Sequence, residues 1–175
     1  MKTTLYTGKY LSFAKEGHWE YAERVNATGA CLIVAVTNEQ KFLLVEQYRI
    51  PVHTRTIELP AGIIGDEADH SSESQAEAAR RELLEETGYD AERMEMLTTG
   101  PASSGLTSEI VTLFRASGLR RVGAGGGVAN ENITVHEVHL SEISSWLAAR
   151  VKEGLMIEPK VYAALFFLSK DQSVC

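Results

Sequence analysis

The sequence predicts an α/β domain built on a mixed sheet, with extra antiparallel strands at its amino end. Three observations carry that expectation. Short runs in the first third of the chain alternate apolar and polar residues with the period of strands. One later segment places apolar residues at helical spacing and stops at a glycine. Strands and helices then interleave without the regular alternation that builds a doubly wound parallel sheet.

Leu11-Ser12-Phe13 and the run from Trp19 to Val25 alternate on either side of Gly17 and predict a hairpin. Ala30 to Val36 and Lys41 to Tyr48 predict a second pair of strands, joined through Thr37-Asn38-Glu39-Gln40. Thr56 to Leu59 is a short extended piece that Pro60 and Gly62 stop, and the polar stretch from Ile64 to Ser72 is a loop. A helix is expected from Glu73 to Thr87. Ser72 and Gln75 have capping-box spacing, and Gly88 stands where a helix-ending glycine belongs. Ala76, Ala79 and Leu83, with Leu84 beside them, form its apolar stripe. Strands follow at Met94 to Thr98 and Ile110 to Arg115, then a mobile loop at Gly123 to Gly127 and a strand from Ile133 to Leu140. Helices over Ser141 to Lys152, with Trp146 in its core, and Pro159 to Ser169 complete the chain.

A chain of 175 residues fits one domain, or one domain with a short appended layer. Seventeen Lys and Arg against 24 Asp and Glu give a net charge of −7, which argues against nucleic acid as a partner. A small phosphorylated substrate stays open, because metal ions reverse the local sign. Cys31, inside an apolar run, and Cys175, at the last position and expected to be exposed, cannot build a disulfide framework. The start lacks an apolar signal core and no apolar stretch reaches spanning length, so a cytoplasmic protein without a membrane partner is expected. The histidines lack metal spacing, Ser103 and Ser104 lack a nucleophile elbow, and no Lys-Ser or Lys-Thr follows the glycine run.

The informative segment is the end of the long helix. Glu82 and Glu86 are four residues apart and share a face, with Glu85 one step round. Like charges repel there by roughly 0.2–0.5 kcal/mol per close pair, and the last turn of a helix disfavours anions. One reading is a solvated acidic face. The other is a functional site, since departures from local rules gather there, and a hard cation such as Mg²⁺ seeks a few carboxylates together with phosphate oxygens and water.

The residues around these acids resemble the Nudix hydrolases. Arg81-Glu82-Leu83-Leu84-Glu85-Glu86-Thr87-Gly88-Tyr89 fits the second half of that family's signature at every fixed position, with Tyr89 as its final apolar residue. Glu73 stands at the family's spacing before Arg81, and Glu58-Leu59-Pro60-Ala61-Gly62 resembles the strand and turn that open the signature. Between Gly62 and Glu73 the chain carries five residues more than is usual. Loop lengthening costs only about 0.6 kcal/mol per doubling, so the stretch reads as an extended loop.

This resemblance implies an α/β/α sandwich with a mixed sheet plus an amino-terminal antiparallel β extension. Residues 1–50 would form a β region that dimerises, and residues 51–175 the hydrolase domain, whose sheet also takes strands from 29–50. It implies that Glu82, Glu85 and Glu86, with the main-chain carbonyl of Ala61, hold Mg²⁺ or Mn²⁺, while Arg81 holds a signature glutamate in place and Glu73 supports the fold. Val45-Glu46-Gln47-Tyr48-Arg49 is similar to a strand of the nucleotide-sugar branch in which Arg49 meets a substrate phosphate. Pro101 to Glu109 resembles the segment after the signature, which makes Glu109 a substrate- or metal-site candidate. Asn130-Glu131-Asn132 resembles the loop carrying the general base, here Glu131; the alternative is a loop glutamate with no task. Trp19 is similar in position to an aromatic residue that stacks on adenine across a dimer interface; the alternative is packing between strands. The implied activity is Mg²⁺-dependent hydrolysis of ADP-ribose to AMP and ribose 5-phosphate by a homodimer. The alternatives are another nucleotide sugar, such as GDP-mannose or ADP-glucose, and a sensing module that binds nucleotide without turnover.

Overall fold

The computed structural model describes residues 1–65, 73–127 and 132–171. Strands β1 (Lys2–Thr7), β2 (Leu11–Glu16) and β3 (Trp19–Arg24) form an antiparallel sheet of their own, with the expected β2–β3 hairpin turning at Gly17. Next come β4 (Gly29–Ala35), β5 (Lys41–Arg49), β6 (Thr54–Glu58), β7 (Ala61–Ile64) and helix α1 (Gln75–Thr87). The rest is β8 (Tyr89–Asp90), β9 (Arg93–Pro101), β10 (Ile110–Ser117), β11 (Arg120–Arg121), β12 (Thr134–His139), α2 (Ile143–Lys152), β13 (Met156–Ile157) and α3 (Pro159–Asp171).

Two four-stranded mixed sheets form the centre, in the orders β7-β4-β10-β9 and β12-β5-β6-β13. Strand β4 runs parallel to β10 and antiparallel to β7, and β6 runs parallel to β13. The sequence of β4 shows how the layers assemble. Cys31, Ile33 and Ala35 point into a cluster with Ala78, Ala79 and Leu83 of α1. Leu32 and Val34 point the other way, among Phe42, Leu44, Ile57 and Leu59 and the helix residues Ile143, Leu147, Val161 and Ala164. A strand buried on both faces reads as a continuous apolar run. Each such Leu or Ile contributes about 1.5–3 kcal/mol on burial. The result is a sandwich with α1 on one side and α2 and α3 on the other.

Several expectations change. Strands β4 and β5 are joined by a tight turn, with Gln40 at φ 61° and a Thr37 N–H to Lys41 O bond of 2.9 Å, but they share only the isolated bridge Val36–Phe42. They enter different sheets because both are apolar on two faces, and facing each other across the core buries more than lying edge to edge. The capping box is Ser74 with Glu77, whose side chain accepts from the Ser74 N–H at 2.8 Å; Ser72 lies outside the described residues. The α1 stripe is Ala76, Ala79 and Leu83 as expected, with Ala78 added to it, while Leu84 is exposed. Strand β1 lacks an apolar alternation and is exposed throughout, so periodicity could not reveal it. Trp146 packs against the core as expected, but only half-buried and edge-on to His136. The glycine loop is tied down rather than mobile: the Gly126 N–H reaches the Glu86 carbonyl at 2.7 Å. Among the described residues no helix is long and apolar enough to cross a membrane.

Candidate active site

The site forms where α1 crosses β7. Strand β7 pairs with β4, setting Ala61 against Leu32 and Gly62 against Cys31. A Cβ on Gly62 would lie 1.9 Å from the carboxyl carbon of Glu82, so the bare backbone at Gly62 is what lets that side chain settle on the strand. Glu86, on the same face, is only 5% exposed, and its Oε2 accepts the Ala61 N–H at 2.9 Å. A carboxylate that deep is costly unless hydrogen-bonded or paired.

Arg81 ties the acids together. Its Nη1 lies 2.9 Å from Glu82 and 3.1 Å from Glu85, and its Nε lies 3.4 Å from Glu73. Burial alone would favour the neutral guanidinium, but Glu82, Glu85 and Glu73 outweigh it and push the Arg81 pKa up. Arg81 is thus a fixed positive charge in an acidic helix turn.

A cavity of about 360 Å³ opens over these residues. Of the candidates from the sequence, Ala61, Arg81, Glu82, Glu85, Glu86, Arg49 and Glu109 all line it. Glu73 stands behind Arg81 rather than in the cavity wall. Trp19 is elsewhere: it is 54% exposed and lines a separate surface cavity with Tyr21, Ser104 and Thr107. Glu131 lies outside the described residues.

The structure adds four residues that sequence reasoning passed over. Glu58, 8% exposed, receives Arg49 bidentately at 2.8 and 2.5 Å and also accepts from the Thr56 hydroxyl. Its signal was an acid between Ile57 and Leu59, two apolar core residues. Arg24 of β3 pairs with Glu109. Lys160, at the start of α3, pairs with Glu158. The Arg24–Glu109 pairing joins residues 85 apart in the chain and no local pattern announces it, whereas Glu158 and Lys160 are near neighbours, two opposite charges two positions apart.

Six glutamates (58, 82, 85, 86, 109 and 158) and four cations (Arg24, Arg49, Arg81 and Lys160) line the cavity, leaving two negative charges in excess. Among the described residues no three acidic, His or Cys side chains stand close enough to chelate an ion as they are. Arg81 bridges Glu82 and Glu85, and Glu86 is engaged by Ala61. The donor set still fits a hard divalent cation: it is all oxygen, net negative by two, and next to bare backbone at Gly62.

Comparison with known proteins gives the family and the fold. Residues 27–153 match the family model described as the NUDIX domain. The methanol dehydrogenase activator of Bacillus methanolicus is 33% identical over 159 residues, covering 90% of this chain and 81% of that one. The ADP-ribose pyrophosphatase of Bacillus subtilis is 34% identical over 126 residues, 67% of this chain and 64% of its own. A GDP-mannose pyrophosphatase of Yersinia enterocolitica is 29% identical over 151 residues, 81% of this chain and 76% of its own. A crystal structure of an ADP compounds hydrolase superposes with a TM-score of 0.74 at 20% identity, covering 97% of this chain and 90% of that one, and so shares the fold. With most of its length inside the family match and a relative one-third identical across most of both sequences, the chain belongs to the Nudix family, in the branch of the ADP-ribose pyrophosphatases.

Proposed function

We propose that this Nudix pyrophosphohydrolase cleaves ADP-ribose to AMP and ribose 5-phosphate in a Mg²⁺-dependent reaction at the cavity beneath α1. The observation that carries the reading is the convergence of Glu82, Glu85 and Glu86 with Arg49 and Ala61 in one net-negative cavity. Glu82, Glu85, Glu86 and the Ala61 carbonyl hold the metal, with Mn²⁺ as a substitute. A divalent ion held by these residues would supply charge neutralisation at the diphosphate and a more acidic water. Arg49 meets a phosphate oxygen once it turns from Glu58, which tethers it until substrate arrives. Arg81 is a positioning residue for Glu82 and Glu85. Glu109, held by Arg24, borders the sugar or metal. Glu131 accepts the proton of the attacking water.

The strands of residues 1–50 that precede the family match carry exposed Leu5, Tyr6, Phe13 and Trp19, which supports a homodimer joined through this region. In such a dimer Trp19 stacks on the adenine of the partner's substrate. Residues 51–175 form the hydrolase domain, with β4 and β5 contributed by the preceding segment. A cytoplasmic setting goes with this small-molecule chemistry.

The second reading, GDP-mannose as substrate, is favoured by the relative of that name. Steady-state rates with Mg²⁺ against ADP-ribose, GDP-mannose and ADP-glucose decide between them. ADP-ribose is expected to give a kcat/KM at least about tenfold above the others, equivalent to about 1.4 kcal/mol. Equal rates with GDP-mannose would end the ADP-ribose reading, and EDTA-resistant turnover would end the metal one.

A further inference from the structure

We infer that the glycine loop 123–127 is a positioning clamp for the metal-holding end of α1, an assignment that rests on the roles proposed for Glu82, Glu85 and Glu86. The last carbonyls of any helix lack partners within it. Here the Gly126 N–H donates to the Glu86 carbonyl at 2.7 Å, and the Gly127 N–H to the Glu85 carbonyl at 3.0 Å. The Val122 and Gly123 N–H groups both reach the Gly88 carbonyl, at 2.8 and 3.0 Å.

The fit admits no side chain. A Cβ on Gly125 would lie 2.4 Å from the Thr87 carbonyl carbon and 2.7 Å from the Glu86 oxygen. A Cβ on Gly88 would lie 2.4 Å from the Gly123 oxygen. Both glycines have positive φ, 71° and 76°, so the two backbones interlock at glycine against glycine.

Ending the helix does not require this loop. Gly88 alone does so, with its N–H on the Leu84 carbonyl at 2.8 Å. The additional donors go to the two residues whose carboxylates face the cavity. A helix carries roughly half a negative charge at this end, stacked here with three glutamates, and amides turned onto those carbonyls offset it. They also fix the main chain from which Glu85 and Glu86 project. Misplacing a reacting or binding group by 1 Å costs on the order of 10²-fold in rate.

The test measures Mn²⁺ affinity of the full chain by electron paramagnetic resonance, beside thermal melting and kcat and KM at saturating metal. In Gly125→Ala, Mn²⁺ binding is expected to weaken about tenfold or more and kcat to fall with KM near wild type, because the loop is forced off the helix end. Ala124→Ser, altering an exposed side chain of the same loop, is expected to change neither. Should Gly125→Ala fail to fold, Gly127→Ala carries the test: it strains the loop through its φ of 81° and is expected to show a smaller loss in the same direction. Wild-type Mn²⁺ affinity in the folded glycine variant would overturn the clamp. Absence of Mn²⁺ binding in the wild-type protein would instead overturn the metal reading, and the clamp with it.

Discussion

The junction of β7, α1 and the glycine loop differs from the amino-terminal sheet β1-β2-β3 in how its residues are held. At the junction every position is fixed from two sides: Glu86 by its own helix and by Ala61, Glu82 against Gly62, and Arg81 among three carboxylates. The amino-terminal sheet leaves Tyr6, Leu11, Phe13 and Trp19 exposed. It is joined to the rest through the backbone of Ala22, bonded to Leu106 and Ser108, and through the Arg24–Glu109 pair. The contrast teaches that charge chemistry is placed where packing over-determines geometry, while the looser sheet holds its large apolar side chains at the surface.

If that division holds, the largest effects come from the junction. Glu86→Gln keeps an oxygen to accept the Ala61 N–H, so the fold should survive while turnover at fixed Mg²⁺ falls on the order of 10³-fold. Near-normal kcat would break the comparison at its strongest point. Cys31 lies beneath the same junction, and burial pushes its thiol pKa up to about 12 from an ordinary 9.0. At pH 8 its thiolate is then about 10³-fold scarcer than in the unfolded chain, at tenfold per pKa unit. A Cys175→Ser background should therefore resist thiol reagents until the protein opens. The folded-state value is raised, so this contribution to stability is complete below 9.0. It is lost as pH climbs from 9.0 toward 12, because the unfolded chain ionises first. Melting temperatures across that window, with Cys31→Ala as reference, check the sign. Gly62→Ala comes next. Its new Cβ displaces the Glu82 carboxylate, lowering kcat about 10²-fold for about 1–3 kcal/mol of stability.

The two regions also differ in how far the sequence revealed them. The junction was legible because its information is local. Glu82, Glu85, Glu86 and Gly88 follow helical spacing, and the double burial of β4 is written as an unbroken apolar run. What escaped was decided by distant encounters. The divergence of β4 and β5 into separate sheets depends on what covers each face. The Arg49–Glu58 pair forms across the β5–β6 hairpin and the Glu158–Lys160 pair within two residues, but bringing both pairs to the cavity of α1 depends on chain return. The glycine run looked mobile because its partners, the carbonyls of Glu85 and Glu86, lie some forty residues earlier. Strand β1 carried no alternation because neither of its faces is buried.

Smaller effects belong to the amino-terminal sheet, and they sharpen the contrast from the other side. Trp19 is exposed in a separate cavity, so Trp19→Ala should move the melting temperature little. If it reaches the adenine of a partner's substrate, KM for ADP-ribose should rise about tenfold, the scale of one base-stacking contact of about 1–3 kcal/mol, while kcat stays near wild type. Sedimentation at the assay concentration supplies the companion measurement. An unchanged KM in a protein that is monomeric there would remove Trp19 from the substrate site.

The smallest expected effect is at the seam between the two regions. Arg24 and Glu109 form a partly exposed pair, with side-chain exposures of 30% and 15%, which joins β3 to the cavity wall. Such pairs contribute under about 1 kcal/mol to stability, so Arg24→Gln should hardly shift melting. Its influence should fall on Glu109, which loses its tether at the cavity edge, raising KM by about two- to fivefold, or about 0.4–1 kcal/mol. Glu109→Gln should raise KM similarly, and the double variant no further, since each single change already breaks the same link. Additive losses would mean that Arg24 and Glu109 act on the substrate separately, and the seam would then be part of the site rather than its support.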